Sequence, residues 1–214
     1  VQNGGADMCW AYYDIVARAK VLGADNALER LSGMQKWYEK VAKAADDAGY
    51  TGTRFYEAYY EAMEGDSEFQ DGIEGLYKLQ RAESNGPGTV GLDAEFIESV
   101  LPIRSIPDAI FGMQSTDYNG ISFTNNLPVG LDWFQIDNMK FANCVYSLRA
   151  TKNGLELLNL KGSKNANHYV LLNFKKPSGS FSVYVNGEKT DDYTEKNGII
   201  TVKVKFEAVK VTVG

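Results

Sequence analysis

Ser180-Phe-Ser-Val-Tyr-Val-Asn-Gly187 decides how the second half of the chain is built. Polar and apolar residues alternate through Val185, which sends successive side chains to opposite faces of an extended strand. Asn186-Gly187 then supplies two residues that tolerate positive φ, as a tight hairpin turn requires. The reading extends in both directions. Ile200-Thr-Val-Lys-Val-Lys-Phe206 alternates in the same way, and Asn153-Gly154 and Asn197-Gly198 repeat the turn signal. Strands are expected at Ile121–Thr124, Phe141–Thr151, Gly154–Leu160, Asn167–Asn173, Ser180–Val185, Ile199–Val204 and Glu207–Val213. Several strands with tight turns and no helical interludes read as an antiparallel β-sandwich, assigned to residues 117–214.

Upstream of a change of character at Gln114–Gly120 the apolar period is helical. Cys9, Tyr12, Ile15, Val16, Ala19 and Leu22 recur at helical spacing up to Gly23, a good stop. Leu28, Leu31, Met34, Tyr38, Val41, Ala42 and Ala45 mark a second helix from about Asp25 to Ala48. Two helices joined by one short turn predict an αα-hairpin. A third helical pattern covers roughly Phe69–Glu83, and Phe96, Ile97, Val100 and Leu101 form the inward side of a short amphipathic piece. A last short helix is expected over Ile106–Met113. These wide apolar faces read as a slice of a larger all-α assembly, covered by a missing N-terminal portion or a partner chain.

Composition narrows the functions. The 214 residues are 44% hydrophobic and 23% charged, the profile of an ordinary globular protein. A net charge of -6 argues against nucleic acid or an anionic membrane as partner, since both demand basic patches. No apolar run is long enough for a membrane span. The chain enters its pattern at Val1, which implies a removed leader or the tail of something longer. Cys9 and Cys144 read as buried free thiols, and His168, the single histidine, as a structural residue. One histidine leaves no His-rich metal site, and no metal or cofactor is expected. Asp191, Asp192 and Glu195 read as a solvated hairpin tip, with calcium as the rival reading.

The gap after the second helix holds Thr51-Gly-Thr-Arg-Phe-Tyr-Glu-Ala-Tyr-Tyr-Glu61. It combines carboxylates, Glu57 and Glu61, with Arg54 and the aromatics Phe55, Tyr56, Tyr59 and Tyr60. Sugar chemistry needs such a set, because carboxylates move protons and flat rings stack on pyranose faces. Arg54 beside Glu57 also fits a plain loop ion pair. Asp93, Glu95 and Glu98 are a rival set. If helical, Glu95 and Glu98 share a face, where mutual repulsion raises one pKa. Trp10, Tyr56 and Tyr59 are candidate stacking platforms, and Asn3 a candidate for sugar hydroxyls, although turn formation alone explains Asn3.

The order of these signals resembles the six-hairpin glycosidases, which are built on an (α/α)6 barrel. Val1-Gln-Asn-Gly-Gly5 looks like the "Q-N-G-G" turn opening a late barrel helix in several of these families. Thr53-Arg-Phe-Tyr-Glu-Ala-Tyr59 is similar to the "F-Y-E-x-Y" segment of trehalase-like and processing α-glucosidase-like members, whose Glu is the catalytic base. Ile121-Ser-Phe-Thr-Asn-Asn-Leu-Pro128 followed by Trp133 looks like the start of the C-terminal β-sandwich behind the barrel in related phosphorylases and rhamnosidase-like enzymes, with Asn125 where those carry Pro. The resemblance implies an α+β multidomain chain, with residues 1–116 a fragment of the barrel and residues 117–214 the sandwich. It implies the C-terminal portion of an inverting, bacterial-type glycoside hydrolase acting on oligosaccharides. Glu57 would be the base, and the acid would come from outside this chain. Location stays open, with periplasmic or secreted favoured. The competing reading is a non-catalytic carbohydrate-binding or interaction module packing on a partner domain. A phosphorylase relative would need an anion site, for which residues 1–116 offer no basic cluster.

Overall fold

The computed structural model describes residues 10–47, 100–162 and 167–214. Glu57, Glu95, Glu98, Asn3, Arg54, Tyr56 and Tyr59 lie outside them, as do Cys9 and the third helical pattern. The chain divides into two compact units. The first includes residues 10–15, 28–47 and 100–104, and the second comprises Val16–Ala27 and Ser105–Gly214 among the described residues.

Helices α1 (Ala11–Val21) and α2 (Ala24–Asp47) fall where the apolar period placed them. Gly23 separates them at φ 97°, a left-handed conformation that suits glycine. Asp14 pairs with Arg30 at 2.9 Å, and Arg18 donates to Asn26 at 2.9 Å, so two polar contacts join the helices. Leu22 does not follow the buried stripe; it is 61% exposed beside Gly23. Val100, expected inside, is also half exposed. Helix α3 runs Leu101–Ile110, earlier than the expected Ile106–Met113. Pro102 sits in its first turn, where a missing N–H costs nothing, and Gly112 at φ 49° ends it. A side chain on Gly112 would strike Thr124, because the end of the strand Gly120–Thr124 crosses there: Thr124 N–H donates to the Phe111 carbonyl and Asn126 N–H to that of Ile110.

Two sheets make up the rest. The first has the order β1 (Gln114–Asp117), β2 (Gly120–Thr124), β6 (Tyr169–Lys175), β10 (Ile199–Lys205), β9 (Thr194–Lys196). The second has β3 (Trp133–Phe141), β4 (Cys144–Thr151), β5 (Gly154–Gly162), β11 (Val209–Val213), β7 (Val183–Val185), β8 (Glu188–Thr190). The expectation of a purely antiparallel sandwich is corrected at one seam: β2 runs parallel to β6, with Ile121 opposite Val170 and Phe123 opposite Leu172. The long connection from β2 to β6 passes through three strands of the other sheet, and such a crossover permits parallel pairing.

The inward residues are the alternating ones. Val170, Leu172 and Phe174 of β6, Ile200 and Val202 of β10, and Val209, Val211 and Val213 of β11 share one core with Tyr146 and Leu148 of β4. Phe123 of the first sheet meets Tyr146 of the second at 6.2 Å between rings, and Tyr146 meets Phe206 edge-on at 5.3 Å. Face-to-face packing of two inner surfaces defines a β-sandwich. Cys144 is buried, as expected. His168 is buried with its ring 5.3 Å from that of Phe141, but its Nδ1 has no hydrogen-bond partner among the described residues, so the expectation of a satisfied structural histidine is met in burial alone.

Asn186-Gly187 and Asn197-Gly198 form their turns with positive φ at both residues. Asn153-Gly154 does not: Thr151 pairs with Gly154, so the turn residues are Lys152 and Asn153 and Gly154 is already in β5. The expected strand Phe141–Thr151 is likewise broken by a turn at Ala142-Asn143, because Phe141 closes β3 and pairs with Cys144.

Among the described residues the buried Tyr146 hydroxyl has no hydrogen-bond partner, and burial pushes its pKa well up. An unsatisfied buried polar group costs about 1–3 kcal/mol. Tyr146→Phe, which keeps the ring and removes that group, is therefore expected to raise stability by about 1 kcal/mol. Urea unfolding measures it, and a fall in stability would mean that the hydroxyl has a partner after all.

Candidate functional site

Among the sequence-proposed site residues, Trp10 lies within the described region. It immediately precedes α1 and is 68% exposed. Tyr13, one helical turn on, is 63% exposed with its ring 6.0 Å from that of Trp10. Residues three apart share a helix face, so the two rings form one open aromatic surface. Tyr12 supports it from the side, edge-on to Tyr13 at 5.3 Å. The Arg104 guanidinium lies 5.8 Å from the centre of the Tyr12 ring. Ile103, 68% exposed, belongs to the same unit.

This arrangement offers flat apolar rings with a cation close by. Such a surface suits a ligand with a hydrophobic ring face and polar edges. Among the described residues no group of three or more His, Cys, Asp or Glu side chains is placed to hold a metal. No described helix is long and apolar enough to cross a membrane.

Sequence reasoning singled out Trp10 and missed its companions. Tyr13 stands off the apolar stripe of α1, which is itself a signal: a large aromatic on the polar face. Arg104 reaches Tyr12 through tertiary structure, and nothing in the sequence spacing marks it.

In the sandwich, polar side chains organise the outer surface of the first sheet. Asn173 donates to the Ser122 hydroxyl at 2.7 Å and to the Phe123 carbonyl at 2.9 Å, and accepts from Thr201 at 2.7 Å. Tyr169 donates to Asp117 at 2.5 Å, and this bond, the largest cause, holds the Asp117 carboxyl below its ordinary pKa. Gly120 has no room for a side chain because the Tyr169 ring and the Thr116 hydroxyl lie across it. These contacts satisfy one another and serve the sheet.

No family model matches the sequence, and no curated protein matches it either. Among solved structures the chain is similar to an alpha-L-rhamnosidase from Dictyoglumus thermophilum, with 18% identity over 54% of this chain and 13% of that one and a TM-score of 0.38. It is similar to a glycoside hydrolase at 16% identity over 55% of this chain and 19% of the other, TM-score 0.35. A GH127 beta-L-arabinofuranosidase from Geobacillus stearothermophilus T6 matches 76% of this chain and 28% of its own length at 10% identity, TM-score 0.31. The chain spans less than a third of each of these proteins.

Proposed function

We propose that this chain is the C-terminal portion of a glycoside hydrolase acting on oligosaccharides. In this reading residues 1–116 contribute part of an (α/α)6 barrel, completed by a missing N-terminal portion or a partner chain. Glu57 activates the water of an inverting reaction, and Glu95 or Glu98 is next in line should Glu57 be an ordinary loop acid. Asn3, Arg54, Tyr56, Tyr59 and Trp10 bind the sugar. The single observation that carries the reading is the open Trp10–Tyr13 surface at the start of α1. The succession of a helical hairpin and a two-sheet sandwich supports it.

The second reading, a carbohydrate-binding or interaction module without chemistry, draws on the same exposed rings. A glycan array and a set of chromogenic glycosides, applied to this chain together with the portion that completes the barrel, separate the two. Turnover supports the hydrolase, and binding without turnover supports the module. In either case Trp10→Ala is expected to weaken sugar binding about tenfold, the loss of roughly 1.4 kcal/mol from one stacking ring. Unchanged affinity would remove Trp10 from the site.

A further inference from the structure

The outer face of the six-stranded sheet carries a second surface. Strand register puts Trp133, Thr151, Gly154, Thr212, Tyr184 and Lys189 in one row, since each pairs with the next across β3, β4, β5, β11, β7 and β8. A neighbouring row holds Gln135, Arg149, Glu156 and Lys210 by the same pairings. Directly paired residues point to one face, and here it is the outer one, because the alternate residues Ala150, Leu155 and Val211 are in the core. From β3 to β7 the rows span about 19 Å, four strand spacings, long enough for several sugar rings.

The chemistry of this face is specific. Trp133 is 53% exposed, and the Arg149 guanidinium lies 4.7 Å from its ring centre. Among the described residues Arg149 Nε is buried and has no hydrogen-bond partner. Glu156 stands opposite Arg149 in register, yet the two form no ion pair among the described residues. In a chain of net charge -6, these two rows gather Arg149, Lys210 and Lys189 against the single acid Glu156. A planar guanidinium matches a carboxylate, and the adjacent indole matches a pyranose face.

We propose that this face binds a glycan built of uronic acid residues, one ring stacking on Trp133 with its carboxylate on Arg149. This face belongs to the second unit and the Trp10 surface to the first, and its fate is independent of the hydrolase reading. A protein that cleaves nothing still binds here, and one that cleaves without binding here loses this proposal alone.

The test is a titration of the ¹⁵N-labelled 214-residue chain with hexagalacturonate, hexamannuronate and cellohexaose, followed at the Trp133 indole N–H signal. A saturable shift with at least one uronate oligomer is expected, weakened by added salt. Affinity for cellohexaose should be at least about tenfold lower, the worth of a charge-assisted pair. Arg149→Met should lose at least about tenfold in uronate affinity, and Trp133→Phe, which keeps a ring in place, should lose less. No shift with either uronate, equal affinity for cellohexaose, or an unchanged Arg149→Met variant would overturn the proposal.

Discussion

Phe123→Ala is expected to lower the stability of the sandwich by about 3–5 kcal/mol, the usual cost of emptying a buried aromatic site. Phe123 is fully buried in β2 and is the residue through which the first sheet meets Tyr146 of the second. Removing its ring takes apolar contact from both inner faces at once, and the side chains around it are held by strand pairing on both sides, so they can collapse into the space only in part. The neighbouring Asn173 holds the β2–β6 seam with its bonds to Ser122 and to the Phe123 carbonyl, which fixes the backbone around the cavity. Urea unfolding gives the number. Phe123→Leu should fall between the wild type and the alanine variant, and a loss below about 1 kcal/mol for alanine would mean that the two sheets do not close on this residue.

Much of this architecture can be read from the sequence because it is periodic. Val170, Leu172 and Phe174, or Val209, Val211 and Val213, alternate without interruption, and a period of two has one physical interpretation. Strand β3 could not be read this way. Its inward residues Phe134 and Ile136 are followed by Met139 and Phe141, a change of phase that breaks the alternation. The cause is a bulge: Asp137 and Asn138 together face Ser147, with Asn138 at φ 58°. Ser147 donates to Asp137 and accepts from Asn159, itself in a bulge of β5 at φ 54°. Two bulges pinned by one serine thus hide a nine-residue strand from pattern reading. The parallel β2–β6 pairing was invisible for another reason, since no local signal records which strand a segment meets after a long crossover. At the candidate site Trp10 was legible as an aromatic beside a turn. Tyr13 carries one mark, a large aromatic off the apolar stripe, and Arg104 none, because the pattern of α1 says which residues are buried and says nothing of which exposed ones gather.

Glu57→Gln carries the other large effect. Under the proposed mechanism this carboxylate takes a proton from the attacking water, and the amide cannot. Removal of a general base costs about 10²–10⁴-fold in rate, which should appear in kcat, with sugar affinity kept because glutamine preserves size and hydrogen bonding. Glu95→Gln and Glu98→Gln are the comparison variants: a loss of that size in one of them, with Glu57→Gln active, would move the base to the rival acid set.

The most direct measurement follows the anomer first released from an oligosaccharide by proton NMR, using the complete protein that contains this chain and its Glu57→Gln form. A product of inverted configuration is expected from the wild type, and a rate lower by about 10²-fold or more from the variant. Retained configuration, or a variant as fast as the wild type, would contradict the proposed mechanism.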